Sequence, residues 1–264
     1  MGYINVGNIR IYYEIHGQGE PLLLIMGLGG HILDWGWILP QELAKHYQII
    51  MFDNRGSGRT DQPQGPYSIK QMANDTVGLM NSIGLNRASI FGVSMGSMIA
   101  QEIAVNYSEK VSNLVLGCSR ADGDKQIKPA PEIEAYLSPR TDLTLQGALW
   151  WSAPAGYPPE FIYSHPEIIE RKIQANMAYP CQLHAYEAQL AAFKAYDSHS
   201  RISSIKAPTL IITGQKDVLI PPENSLILSR QIPNARLLEI NGAGHLFWIS
   251  HANETLSALI SFLG

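Results

Sequence analysis

A serine between two glycines, an aspartate and a histidine each follow a short apolar run in this chain, and together the three could cleave an acyl bond. Residues 90–98 read IFGVSMGSM, so Ser94 stands in the pattern Gly92-Val93-Ser94-Met95-Gly96. The pattern gains content from its flanks. ASIFGV (88–93) has the β-branched and aromatic residues of a strand, and MGSMIAQEIAVNY has those of a helix. A serine at that join is forced into a strained backbone, and glycines at 92 and 96 remove the Cβ atoms that would strike the returning chain. The join is also a helix N-terminus, where free N–H groups favour developing negative charge. An ordinary N-cap serine would account for Ser94 but not for both small neighbours.

A serine hydroxyl attacks only when a base takes its proton, so a histidine is needed at the same sheet edge. LLEINGAGHLF puts His245 after a strand, behind the turn Gly242-Ala243-Gly244. His251 is expected inside the following helix. His16, His31, His46, His165, His184 and His199 have no such strand-end context, with His31 a partial exception that could border a pocket. A carboxylate must then orient the imidazole, and Asp217 in TLIITGQKDVLIPP lies just past a strand, in a composition that also suits a plain turn. An oxyanion needs two N–H donors. Met95 offers one, and Leu28 in the glycine-rich loop MGLGG (26–30), which also suits a tight turn, offers the other.

Elements that can position these groups are legible along the chain. YINV and IRIYYEI flank Gly7-Asn8 as an antiparallel hairpin. Short apolar runs at 22–26, 47–53, 88–93, 111–118, 209–214 and 235–240 read as strands buried on both faces. Helical spacing at about 35–45, 68–84, 95–107, 222–231 and 245–263 alternates with them. The expected fold is α/β, a mainly parallel eight-stranded sheet with helices on both faces. Residues 119–206 hold no convincing strand, which predicts a helical cap inserted into a core of residues 1–118 and 207–264.

Composition narrows the function. Of 264 residues, 45% are apolar and 16% charged, as in a globular protein, and the net charge of −4 gives no basic footprint for nucleic acid. No apolar run is long enough to cross a membrane, and the N-terminus has no basic-then-apolar signal pattern. Cys118 and Cys181 read as two buried thiols in a reducing, cytoplasmic setting. No GxGxxG occurs, no Gly-Lys-Ser/Thr follows DNRGSGRTD (53–61), and no His/Cys cluster has metal spacing. No cofactor is therefore expected.

LLLIMGLGG, FDNRGSGRTD, GVSMGSMIAQEIA, TGQKDVLIPP and GAGH together resemble the α/β-hydrolase family from about residue 20 to the end, the cap excepted. The wording is closest to small esterases and lactonases similar to 3-oxoadipate enol-lactonases and aclacinomycin methylesterases. The order Ser94, Asp217, His245 is that family's order of nucleophile, acid and base. Two departures stand out: Met26-Gly27 replaces the usual His-Gly of the oxyanion loop, and Ser97 replaces a third glycine near the elbow. The resemblance implies a serine ester hydrolase acting on a small-molecule ester or lactone, as a monomer or homodimer, and a structural turn tied by Arg55 in DNRGSGRTD. A carbon–carbon bond hydrolase with the same triad and a slow-turnover small-molecule receptor are the rival readings. The first rival would need cap cations for a substrate carboxylate, and Arg120, Lys125, Lys128, Arg140, Arg171, Lys172, Lys194 and Arg201 are the candidates. Cap aromatics from Trp150 to Tyr196, among them Trp151, Tyr157, Tyr186 and Phe193, could wall an apolar pocket or simply pack the helices.

Overall fold

The computed structural model describes residues 1–121 and 126–264. One sheet contains β1 (Gly2–Val6), β2 (Ile9–His16), β3 (Pro21–Ile25), β4 (Gln48–Phe52), β5 (Ala88–Val93), β6 (Val111–Gly117), β7 (Thr209–Gly214) and β8 (Arg236–Ile240). Their order across the sheet is β1-β2-β4-β3-β5-β6-β7-β8. Gly7, at φ 54°, turns the first hairpin so that Val6 faces Ile9. β2 pairs antiparallel with β1 and β4, and every pairing from β4 to β8 is parallel.

Around the sheet run α1 (Leu39–Leu43), α2 (Ile69–Ser82), α3 (Met95–Asn106), α4 (Pro131–Glu134), α5 (Leu145–Gly156), α6 (Pro159–Ser164), α7 (Pro166–Ala178), α8 (Leu183–Ala195), α9 (Pro222–Gln231), α10 (Phe247–Ser250) and α11 (Ala252–Leu263). The central strands β3, β4, β5 and β7 are buried almost end to end because both faces are covered, whereas β1, β2 and β8 nearer the sheet edges carry exposed residues. In β3, Leu22 and Leu24 join a core with Leu39 of α1 and Leu259 of α11. Leu23 and Ile25 join another with Val77 of α2, Ile99 of α3 and Leu228 of α9. This is the two-residue period of a strand read twice over, with each fully buried leucine contributing about 2 kcal/mol.

The sheet order also creates the site. β3 lies between β4 and β5, so the chain leaves it to one side and later returns on the other. Loops after β3 and β5 therefore diverge and open a crevice at the ends of the strands. β6 and β7 pair directly, Leu114 opposite Thr209, although α4 to α8 lie between them in sequence. The described part of that insertion contains helices and turns only. Within it, Ala153, Tyr157, Ile169 and Ile173 form a small core of their own, while Ala185, Ala192 and Phe193 of α8 join the main core.

Three expectations change in detail. The helix expected at 35–45 is a 3-10 turn at Ile32–Trp35 followed by the five-residue α1, because Gly36 adopts φ 74° between them. The helix expected at 245–263 starts later, since the Leu246 N–H is taken by Gly156 O at 2.9 Å, and it breaks at His251. His251 is thus a junction residue and not part of a helix interior. Cys118 and Cys181 are both free thiols, but only Cys118 is fully buried.

Candidate active site

Ser94 sits between β5 and α3 at φ 54° and ψ −126°, a conformation that costs a non-glycine residue of order 1–3 kcal/mol. What holds it there is close packing on both sides. A Cβ on Gly92 would lie 2.9 Å from the Ser97 Cα, and one on Gly96 would lie 2.6 Å from Met26 O. Gly27 brings the neighbouring loop against the serine itself, since a Cβ there would stand 3.0 Å from the Ser94 Cβ. The Ser94 N–H donates to Gly117 O at 2.9 Å, and the Ser97 hydroxyl donates to Ser94 O at 2.5 Å while its oxygen accepts from the Ser119 hydroxyl at 2.7 Å. Ser97 is therefore a brace for the elbow. Gly96→Ala is expected to lower stability by about 3 kcal/mol, the cost of an overpacked core. Urea unfolding measures it, and a midpoint equal to wild type would show that the elbow has room to spare.

Asp217 and His245 arrive from the loops after β7 and β8 and bond to each other, His245 Nδ1 to Asp217 Oδ2, at 2.8 Å. The other carboxylate oxygen, Oδ1, accepts the N–H groups of Leu219 and Ile220, each at 2.9 Å. Lys216 N–H donates to Ala243 O at 2.8 Å, which locks the two loops to one another. Burial pulls His245 down, but the Asp217 carboxylate outweighs it and holds the imidazole well above its ordinary value of 6.5. Cys118 completes the cluster from the end of β6, at φ 41°. Its sulfur and the ligand atoms of Asp217 and His245 lie within 4.8 Å of one another. Folding thus assembles a His/Cys/Asp group that spacing along the chain did not suggest. Burial pushes the Cys118 thiol up, so it stays neutral and leaves Asp217 as the negative group beside the imidazole.

The expected oxyanion donors stand free. Neither Leu28 N–H nor Met95 N–H has an acceptor among the described residues. Their loop is anchored without the usual histidine: Asn54 Nδ2 donates to Met26 O at 2.8 Å, and Gly29 N–H donates to Gln189 Oε1 at 2.8 Å. Gln189 comes from α8 and also donates to Arg55 O at 2.6 Å, so the inserted helices help to set the loop. Arg55 itself clamps Asp75 of α2 through two bonds, at 2.7 and 2.8 Å, and so ties the DNRGSGRTD turn to the core. Ser94 and His245 both open on one cavity of about 530 Å³, with no hydrogen bond between them.

The sequence pattern of the alpha/beta hydrolase fold matches residues 20–252. The chain belongs to the alpha/beta hydrolase family. It is 31% identical to the protein of Azorhizobium caulinodans named "Putative carbamate hydrolase RutD", over all of this chain and 98% of that one. Identity is 30% to "Putative non-heme bromoperoxidase BpoC" of Mycobacterium tuberculosis, over 96% and 97% of the two chains. The solved structure of a thermophilic esterase from Thermogutta terrifontis superposes with a TM-score of 0.84 at 26% identity, covering 99% of this chain and 97% of that one.

In this alpha/beta hydrolase the cavity wall is mostly apolar, with one polar corner that the sequence did not announce. Asp34, in the 3-10 turn after the glycine-rich loop, is buried there. Its Oδ1 accepts from Lys172 Nζ and, at 2.7 Å, from Asn176 Nδ2, both on α7, and its Oδ2 accepts the His31 N–H at 2.9 Å. Burial alone would raise the carboxyl, but the Lys172 charge holds it at about 2. His31 caps this turn and is not on the cavity wall, contrary to the expectation from sequence. Trp248, also unannounced, donates from Nε1 to Asp34 O at 2.9 Å and stands edge-on to the His245 ring at 6.4 Å. Of the insertion's described cations, Arg140 and Lys172 reach this cavity, while Lys125 lies outside the described residues. Trp151, Tyr157, Tyr186 and Phe193 line it, whereas Tyr163 points away and is 85% exposed.

Proposed function

We propose that this hydrolase cleaves carboxylic esters, short to medium acyl esters or a lactone, through an acyl-enzyme on Ser94. One observation carries the reading: loops from three strand ends meet at one cavity, with Ser94 in a strained elbow and His245 already bonded to Asp217. Ser94 Oγ attacks the carbonyl carbon while His245 Nε2 takes its proton. Asp217 keeps the other proton on Nδ1 and balances the imidazolium charge. The developing oxyanion accepts the N–H groups of Leu28 and Met95, each worth roughly 3 kcal/mol in the transition state. His245 then protonates the leaving oxygen, the C–O bond breaks, and a water deprotonated by the same imidazole releases the acid. No metal or organic cofactor has a part in these steps.

Residues 119–206 act as a cap over the core of 1–118 and 207–264. The cavity they help to wall, about 530 Å³, is the size of a small-molecule site. A cavity of this size has room for a short to medium acyl group or a lactone. A carbon–carbon bond hydrolase would need a free cation for its substrate's carboxylate, yet of the described insertion cations on the cavity wall Arg140 is paired with Asp142 and Lys172 with Asp34. The two free thiols suit the cytoplasm.

Rapid mixing with p-nitrophenyl butyrate, followed by acid quench and peptide mass spectrometry, tests this. The expected result is a burst of nitrophenol with one butyryl group on the peptide that holds Ser94. Turnover with the label elsewhere, or no burst and no label, overturns the acyl-enzyme reading.

A further inference from the structure

The polar corner opposite the apolar wall has unused hydrogen-bonding capacity of a defined kind. Asp34 is ionised and only accepts, so the Asn176 atom facing it at 2.7 Å must be the amide nitrogen. The second Asn176 N–H goes to Lys172 O at 3.1 Å. Asn176 Oδ1 is left as an acceptor with no partner among the described residues. Lys172 carries three N–H groups and directs one at Asp34. Its side chain is 23% exposed, and both residues stand on the cavity wall. They are i and i+4 on α7, hence neighbours on one helix face. Asp34 neutralises the Lys172 charge, so the corner is a matched donor and acceptor with little net charge. Trp248 places it one indole from His245, within reach of a single substrate.

We infer that Lys172 and Asn176 form a specificity subsite for a neutral secondary amide or carbamate group on the ester or lactone substrate. The substrate carbonyl accepts from Lys172 Nζ, and its N–H donates to Asn176 Oδ1. This rests on the ester-hydrolase reading above and adds the substrate class to it. An aliphatic chain leaves the corner unfilled, whereas a wall without such partners would reject an amide by about a hundredfold through its unmade hydrogen bonds.

The test compares matched substrates. One pair carries the amide in the acyl part, p-nitrophenyl 4-acetamidobutanoate against p-nitrophenyl heptanoate; the other carries it in the alcohol, 4-acetamidobutyl acetate against heptyl acetate. In at least one pair, wild type is expected to turn over the amide ester with kcat/KM equal to or above that of its all-carbon partner. That ratio is expected to fall tenfold or more in Lys172→Met and in Asn176→Leu. Reading the ratio within each variant cancels any general loss of activity, and the wild-type preference stands as a result even if a variant does not fold. Aliphatic preference near a hundredfold in both pairs, or a ratio unchanged in folded variants, overturns the subsite. If no ester is hydrolysed, the ester reading fails separately, and calorimetry with methyl 4-acetamidobutanoate and methyl heptanoate decides the subsite. Tighter binding of the amide that is lost in Asn176→Leu sustains it, and equal binding overturns it.

Discussion

Replacing Ser94 with alanine is expected to lower kcat on p-nitrophenyl butyrate by about a millionfold, with KM little changed and no acyl adduct. The size follows from what is lost and what stays. In the proposed mechanism alanine removes the atom that bonds to substrate carbon, while the free N–H groups of Leu28 and Met95 and the cavity wall remain to bind the ester. Residual rate above water of about 10³–10⁴ is what such binding alone supplies. The hydroxyl makes no cap bond in α3, so its loss disturbs no fold contact there. Steady-state kinetics of the purified variant checks this, and activity above about a hundredth of wild type would remove Ser94 from the mechanism.

Asp217→Asn is expected to lower kcat by about ten-thousandfold and to move the pH profile. Asparagine matches the shape, and its oxygen can still accept from Leu219 and Ile220 N–H. The amide nitrogen then faces His245 Nδ1, which favours the proton on the wrong ring nitrogen. With His245 as the proposed base, which must be neutral to act, kcat/KM is expected to rise with pH through the pKa of His245 in the free enzyme. Burial pushes that pKa down and the Asp217 charge pushes it up, with the charge prevailing, so the inflection lies above 6.5. Without the charge the largest cause that raises it is gone, and the inflection is expected to move down. A pH profile of kcat/KM for both proteins decides it; an inflection that does not move would mean that Asp217 does not set the imidazole's charge.

Much of the site was legible because strain and spacing leave local marks. Gly92 is a glycine because the Ser97 backbone, five residues on, occupies the space of a Cβ; Gly96 answers to Met26 O in the loop after β3, yet both stand in one five-residue pattern around Ser94. The central strands were readable because burial on both faces demands unbroken apolar runs, but β8, expected to be buried in the same way, leaves Arg236 and Glu239 exposed at the sheet edge. Helix ends were less so: Gly36 cut the first helix short, and the Gly156 carbonyl, ninety residues away in the chain, delayed the last one.

What sequence by itself determined is the local chemistry: an elbow serine, a strand-end aspartate and histidine, a glycine-rich loop, and an α/β order of elements. Only the tertiary structure decided which groups share a cavity. Asp34 looks like a helix-turn residue until α7 brings Lys172 and Asn176 against it, and Gln189 is one polar residue of an amphipathic helix until it meets Gly29. Cys118 is only a strand-end thiol until β6, β7 and β8 align their ends. The physical reason is separation. A hydrogen bond acts over about 3 Å, while its partners here are more than a hundred residues apart in the chain, so no local pattern records the meeting.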